Sequence, residues 1–244
     1  MALKRVVVFG GNGFVGSAVL QRLAGVAGVE AVSVSRSGAA PAHAATWGDA
    51  VDWRAGDALD AATFGDALDG AAAVVASVGT PPLPGADRRD NGATVCGVLA
   101  AAAAAGVPRA VVVGATMPPW LGSLSAGYAA GKRDAEAAAA AFAAPEGRGA
   151  VVVKPTAVYG TRHTKGGAPI PLWLALAPVS HGLRAAKPLC DRLAALAPGA
   201  FAGLLDPPVP VDAVAAAVVD GCFSDAYRDA FAVLGPDDIL ARAP

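Results

Sequence analysis

The sequence is poor in the features that would tie it to disulfides, metals, nucleic acid or a membrane span. Its three cysteines, Cys96, Cys190 and Cys222, stand far apart with no CxxC pair, which argues against a disulfide framework or zinc site and for a reducing compartment. Its three histidines, His43, His163 and His181, lack partners at metal-ligand spacing. They read as loop or surface residues, and no metal is expected. Lys and Arg number 19 against 20 acidic residues, a formal net charge of −1. Without clustered positive charge there is no electrostatic case for nucleic acid. Hydrophobic residues reach 55%, but alanine inflates the figure, and no uninterrupted apolar run reaches the ~18–20 residues that cross a bilayer. The first strand begins a few residues after Met1, leaving no room for a signal or transit peptide, so the cytoplasm or a processed form is expected.

What is present is an alternation. Apolar, β-branched runs recur at Arg5–Phe9, Ala31–Ser35, Val51–Ala55, Ala72–Val78, Arg109–Gly114 and Ala150–Lys154, with helical patterns between most of them. Buried parallel strands read as continuous apolar runs, so the pattern predicts an α/β fold with a doubly wound parallel sheet, its ligands at the carboxyl ends of the strands. The alanine tracts Ala100–Ala105 and Ala137–Ala141 sit inside helical patterns and read as helix. At 244 residues a single domain over 1–244 is expected. Prolines at 169, 171, 178, 188 and 198 break the rhythm between Thr161 and Ala200, and 161–205 together with 225–244 is assigned to a substrate or lid lobe. Asp212 reads as the N-cap of an apolar helix around Ala213–Val219, and Phe231–Leu234 as a last short strand.

From Val6 to Gly16 the chain reads Val-Val-Val-Phe-Gly-Gly-Asn-Gly-Phe-Val-Gly, a strand running through glycines into a helix with Val15, Val19, Leu20 and Leu23 at helical spacing. This is the pattern of a dinucleotide-binding turn. Gly10 permits the tight strand exit, Gly13 lets backbone amides approach a pyrophosphate, and Gly16 lets the helix pack closely. Gly11, Asn12, Phe14 and Val15 belong to the same cradle. The next informative point lies after the second strand, where an NAD-selective fold carries an acid for the ribose hydroxyls. Here the chain has Ser35-Arg36-Ser37. A guanidinium flanked by hydroxyls suits a 2′-phosphate, so NADP(H) is the expected cofactor. Asp57 after the third strand reads either as an acceptor for the adenine amino group or as a turn acid. The small residues Ser77, Val78 and Gly79 would let the fourth strand's exit pass beneath the adenosine ribose.

Tyr128 and Lys132 are four residues apart, hence one turn apart on one helix face. An ammonium near a phenol favours phenolate, so Lys132 is expected to pull the Tyr128 pKa below its usual ~10 and to fit it for proton exchange with a carbonyl/alcohol couple. Tyr159, beside Gly160, reads as a cover for the nicotinamide or as a core aromatic. The apolar stretch Pro169–Pro178, with Lys165, Arg184 and Lys187 nearby, reads as a contact for a lipid surface, hydrophobic substrate or partner, or as packing within the lobe.

The glycine turn, Ser35-Arg36-Ser37, Tyr128-Ala-Ala-Gly-Lys132 and Lys154-Pro-Thr-Ala-Val-Tyr-Gly160 occur in the order seen in short-chain dehydrogenase/reductases. The last motif resembles the Arg-Pro-x-x-x-Tyr-Gly of the extended and atypical branches. The wording of the motifs is similar to a plastid and mitochondrial atypical group that includes plastoglobule-associated proteins and a reductase-like protein of coenzyme Q synthesis. More distantly it resembles the NADPH-holding accessory subunit of respiratory complex I. The resemblance implies a mitochondrial or chloroplast location, Tyr128 and Lys132 as catalytic residues, Pro155 against the cofactor, and a hydroxyl about a dozen residues before the tyrosine. Thr116 is the candidate for that hydroxyl, with Ser123 or Ser125 as substitutes, although Ser125 also reads as a helix cap. Lys154 stands where the family has arginine and loses the planar fork. Two functions follow as expectations: an NADPH-dependent reductase of a hydrophobic carbonyl or quinone-related compound, or a non-catalytic NADPH-binding subunit or assembly factor of an organellar membrane complex.

Overall fold

The computed structural model describes residues 3–82, 85–164, 166–201 and 203–243, with backbone alone at 119, 121, 199 and 200; Lys165 lies outside the described residues. The strands are β1 (Lys4–Phe9), β2 (Val29–Ser35), β3 (Val51–Ala55), β4 (Ala71–Ala76), β5 (Arg109–Val113), β6 (Gly149–Val153), β7 (Val158–Tyr159), β8 (Thr161–His163), β9 (Pro169–Pro171), β10 (Val209–Pro210) and β11 (Phe231–Leu234). The helices are α1 (Phe14–Ala24), α2 (Thr94–Ala104), α3 (Pro119–Leu124), α4 (Ala126–Ala143), α5 (Trp173–Ala185), α6 (Lys187–Leu196), α7 (Pro198–Phe201), α8 (Val211–Phe223) and α9 (Pro236–Leu240).

Seven strands form one sheet in the order β11-β6-β5-β4-β1-β2-β3, and every neighbouring pair is parallel. The winding direction reverses between β1 and β4, which opens a crevice beyond their carboxyl ends. Alternation along β1 divides the core. Val6 and Val8 pack with Leu20 and Leu23 of α1 and Val214 and Val218 of α8, whereas Val7 and Phe9 pack with Val98 and Leu99 of α2 and Ala135, Ala139 and Phe142 of α4. Both faces are covered, which is why these strands carry no polar alternation.

Three expectations need correction. The fourth strand ends at Ala76 rather than Val78: Ser77 still donates its N–H to the Phe9 carbonyl at 2.9 Å, but Gly79 then turns the chain at φ +157°. Asp212 is not the cap of α8. Pro210 holds that position in extended conformation and Asp212 falls in the first turn, where its charge still suits the helix dipole. Finally, residues 225–244 do not sit with the lobe, because β11 pairs with β6 at the sheet edge and Ile239 of α9 is fully buried in the core.

The stretch Pro169–Pro178 is regular. Its first part is β9, antiparallel to β8, and its second opens α5, with Pro178 inside the helix. A π-helical turn, Arg89–Ala93, precedes α2. Here α4 approaches so closely that a Cβ on Gly92 would stand 2.8 Å from the Gly131 Cα, and one on Gly131 would stand 2.8 Å from the Asn91 Cβ.

Candidate active site

The phosphate turn has the geometry its glycines suggest. Gly10 adopts φ +84°, and a Cβ there would lie 2.7 Å from the Ser77 carbonyl oxygen; a Cβ on Gly16 would overlap the Gly10 carbonyl oxygen. Gly13 is different: only the Gly10 oxygen lies within reach of an added Cβ, at 3.2 Å, and the residue faces a cleft. Gly13 is also the N-cap of α1, with no side-chain cap and no acid in the first turn. The amides and positive end of the helix dipole are thus presented to an anion.

That cleft, about 550 Å³ in volume, collects Gly13, Phe14, Val15, Ser77, Val78, Gly79, Thr116, Tyr128, Lys132 and Pro155. Its size is that of a small-molecule site. The carboxyl ends of β1, β4, β5 and β6 supply its floor, and Val179, Leu183 and Leu204 from the lobe form an apolar wall. Tyr128 is 7% exposed. Lys132 donates from Nζ to the Val113 carbonyl at 2.9 Å and lies 5.7 Å from the Tyr128 ring centroid.

The electrostatics reverse one expectation. Burial pushes the Tyr128 phenol up to about 12 and lowers Lys132 to about 8. The lysine does not draw the phenol down, because its ammonium is turned to a carbonyl and is itself desolvated. A protonated phenol beside a lysine still charged at neutral pH is the arrangement that donates a proton to a carbonyl oxygen. The Thr116 hydroxyl donates to the Lys154 carbonyl at 3.0 Å, which fixes its rotamer and leaves its lone pairs to accept. Ser125 is the N-cap residue of α4 but does not cap through its side chain. Lys154 pairs with Glu136 at 2.8 Å.

Of the residues expected at the cofactor, Gly10, Asn12, Ser35, Arg36, Asp57, Val78 and Gly79 line an adjoining cleft of about 370 Å³, together with Arg89 and Asp90. Asn12 Nδ2 donates to Ser37 Oγ at 3.4 Å and to the Ala39 carbonyl at 3.1 Å, and Ser35 and Ser37 hydroxyls meet at 3.3 Å. This small network holds the β2 exit beside the phosphate turn. Asp57 accepts from the Leu59 N–H at 3.0 Å, the turn role, while also facing this cleft. Gly11 turns inward instead: a Cβ there would collide with Leu20 and Ser33.

Sequence reasoning missed Asn91. It is wholly buried, its Oδ1 accepts from the Thr80 N–H at 3.0 Å, and its Nδ2 donates to Thr80 Oγ1 and the Asp87 carbonyl, each at 3.0 Å. It therefore shapes the β4 exit loop; the Asn-Gly dipeptide was a local signal, though one that normally marks a hairpin. Two histidines expected apart are together: His43 and His163 stack with centroids 4.3 Å apart and planes 6° from parallel. Burial, then its neighbour's charge, lowers the His43 pKa. Tyr159 is not among the residues lining the cleft that holds Tyr128 and Lys132; with His43, His163 and Trp173 it lines a separate cleft behind α1. Among the described residues, no three His, Cys, Asp or Glu side chains gather to hold a metal, and no helix is long and apolar enough to cross a membrane.

Sheet, reversal point and phosphate turn define a Rossmann-type dinucleotide-binding domain. The chain belongs to the NAD(P)H-binding family, whose pattern matches residues 10–161, and its cofactor is accordingly a nicotinamide dinucleotide. It is 36% identical over 94% of its length, and 75% of the other protein's, to an uncharacterised chloroplastic protein of Arabidopsis thaliana. Among solved structures it resembles a UDP-N-acetylglucosamine 4-epimerase from Methanobrevibacter ruminantium, at 17% identity, TM-score 0.64, 96% of this chain and 76% of that one. It also resembles a UDP-galactose 4-epimerase, at 22% identity, TM-score 0.54, 65% of this chain and 58% of that one. At these identities the structures share the fold.

Proposed function

We propose that the protein is an NADP(H)-dependent reductase of the short-chain dehydrogenase/reductase type, acting on a hydrophobic carbonyl or quinone-related compound. The observation that carries this reading is the single cleft in which the phosphate turn, Tyr128, Lys132 and Thr116 meet beside an apolar wall. A bound nicotinamide would supply the hydride. Tyr128 protonates the substrate oxygen, Lys132 supports that proton's replacement, and Thr116 orients the oxygen. The choice of NADP(H) rests on Arg36 with Ser35 and Ser37 at the exit of β2, a segment that carries no acid for the ribose hydroxyls. A plastid location is proposed from the chloroplastic relative.

The first test is a titration of purified protein with NADPH and NADH. Arg36→Asp is expected to weaken NADPH about tenfold or more and to improve NADH, since it removes a phosphate partner and adds a ribose acceptor. An unchanged ratio overturns the NADP assignment, and no binding of either nucleotide at millimolar concentration overturns the whole reading. A second expectation concerns pH. Lys132 carries its charge below about 8, so NADPH-driven carbonyl reduction should fall as pH rises through about 8, whereas a limb set only by free lysine would fall near ~10.4. A pH–rate profile of wild type and Lys132→Met separates the two.

A second reading is favoured by one observation. Trp173 and Leu174 on α5 and Leu189 and Leu196 on α6 are 47–81% exposed, an unusual apolar display for a free monomer. It suits a non-catalytic NADPH-binding subunit held on a membrane surface or large organellar assembly. Stoichiometric co-migration with such an assembly, and no Tyr128-dependent turnover, would favour it over the enzyme.

A further inference from the structure

Arg162 lies in β8, on the wall of the cleft that holds Tyr128 and Lys132. It is the central residue of β8, and side chains alternate along a strand. Thr161 and His163 face the cleft behind α1, whereas Arg162 faces the cofactor cleft. The strand is held there from both sides. Gly160, at φ +150°, lets it run against the start of α1: a Cβ at this position would lie 2.7 Å from Val211 Cγ1 and 3.4 Å from Phe14 Cζ. On the other flank His163 stacks on His43, and the bare Gly167 lets the hairpin turn meet Ala42, which an added Cβ would touch at 3.1 Å.

Phe14 is the first residue of α1, the helix whose amides form the phosphate cradle. A diphosphate brings two negative charges, but a helix N-terminus offers the equivalent of about +0.5. No lysine or arginine lies between Gly10 and Gln21 to make up the difference. Of the cations on the cleft wall, Lys132 is committed to the Val113 carbonyl. Arg162 makes no hydrogen bond or ion pair among the described residues. The acid on that wall, Asp206, has its pKa raised by burial, against the opposing field of Lys187.

We infer that Arg162 is the cation that closes over the cofactor's diphosphate, so that the lobe carrying it locks the dinucleotide in place. The inference rests on the dinucleotide reading of the cleft, and adds a retention residue contributed from outside the glycine turn. Its test is direct binding of ADP-ribose, NADPH and adenosine 2′-monophosphate, measured by calorimetry at low salt for wild type, Arg162→Ala and Arg162→Lys. The first two ligands carry the diphosphate; the third does not. Arg162→Ala is expected to weaken ADP-ribose and NADPH about tenfold, the scale of one charge-assisted contact, and to leave adenosine 2′-monophosphate unchanged. Arg162→Lys is expected to restore part of the loss. Wild-type binding with unchanged ADP-ribose affinity in Arg162→Ala overturns the inference alone. An equal loss for all three ligands overturns it too, by showing damage to the fold rather than loss of a phosphate contact. Failure of the wild type to bind ADP-ribose and NADPH overturns it together with the dinucleotide reading.

Discussion

Tyr128→Phe is expected to lower kcat for carbonyl reduction by about 10²–10⁴-fold, the usual contribution of a positioned general acid, while the Kd for NADPH stays within about twofold. The argument is steric as well as chemical. Tyr128 is 7% exposed and packs on the inner face of α4, so removing one oxygen leaves the ring and helix in place. What disappears is the proton donor. Burial that pushes the phenol to about 12 keeps it protonated through the physiological range, so the reduction direction suffers most. Stopped-flow NADPH oxidation beside a fluorescence titration separates the two quantities. Equal turnover in wild type and variant would remove Tyr128 from the chemistry and leave the binding-subunit reading in possession of the cleft.

Gly16→Ala is expected to destabilise the fold by roughly 1–3 kcal/mol, on the scale of overpacking a tight contact, and to weaken NADPH and NADH alike by at least about tenfold. Two effects oppose each other at this helical position. Alanine is the better helix former by up to about 1 kcal/mol, but its methyl would overlap the Gly10 carbonyl oxygen. The overlap wins because the obstacle is backbone, and Gly10 is itself pinned at φ +84° against the Ser77 carbonyl. Relief must displace the turn that cradles the phosphates. Gly182→Ala in α5 is the control: nothing lies within 4 Å of its added Cβ, so it should hold or raise Tm. A matched melting series decides the point, and a Gly16→Ala protein as stable as Gly182→Ala would refute the close packing assigned to this turn.

The sheet was largely legible in the chain because its strands are buried on both faces and read as unbroken apolar runs; β3 and β11 coincide with their sequence assignments. The glycine turn was legible for a related reason, since Gly10 and Gly16 each answer a local backbone demand. The electrostatics of Tyr128 and Lys132 were not. Four-residue spacing reports that two groups share a helix face, but says nothing of how far each is withdrawn from water, and here desolvation outweighs their mutual influence. The His43–His163 stack was equally hidden, because 120 residues separate partners that meet only when the β8–β9 hairpin docks. Arg162 gave no signal at all: its direction depends on which side of a three-residue strand faces the cleft.

The pairing of Gly92 with Gly131 reaches further than its size suggests. Tyr128 and Lys132 ride on α4, whose spacing from the π-helical turn ahead of α2 is set by a gap too narrow for one methyl group, so two residues with no side chain hold that helix in place. A side chain at either would push α4, and Tyr128 and Lys132 with it, away from the turn at Asn91. A variant changed at Gly92 or Gly131 is expected to keep every polar side chain of the cleft and to lose their spacing.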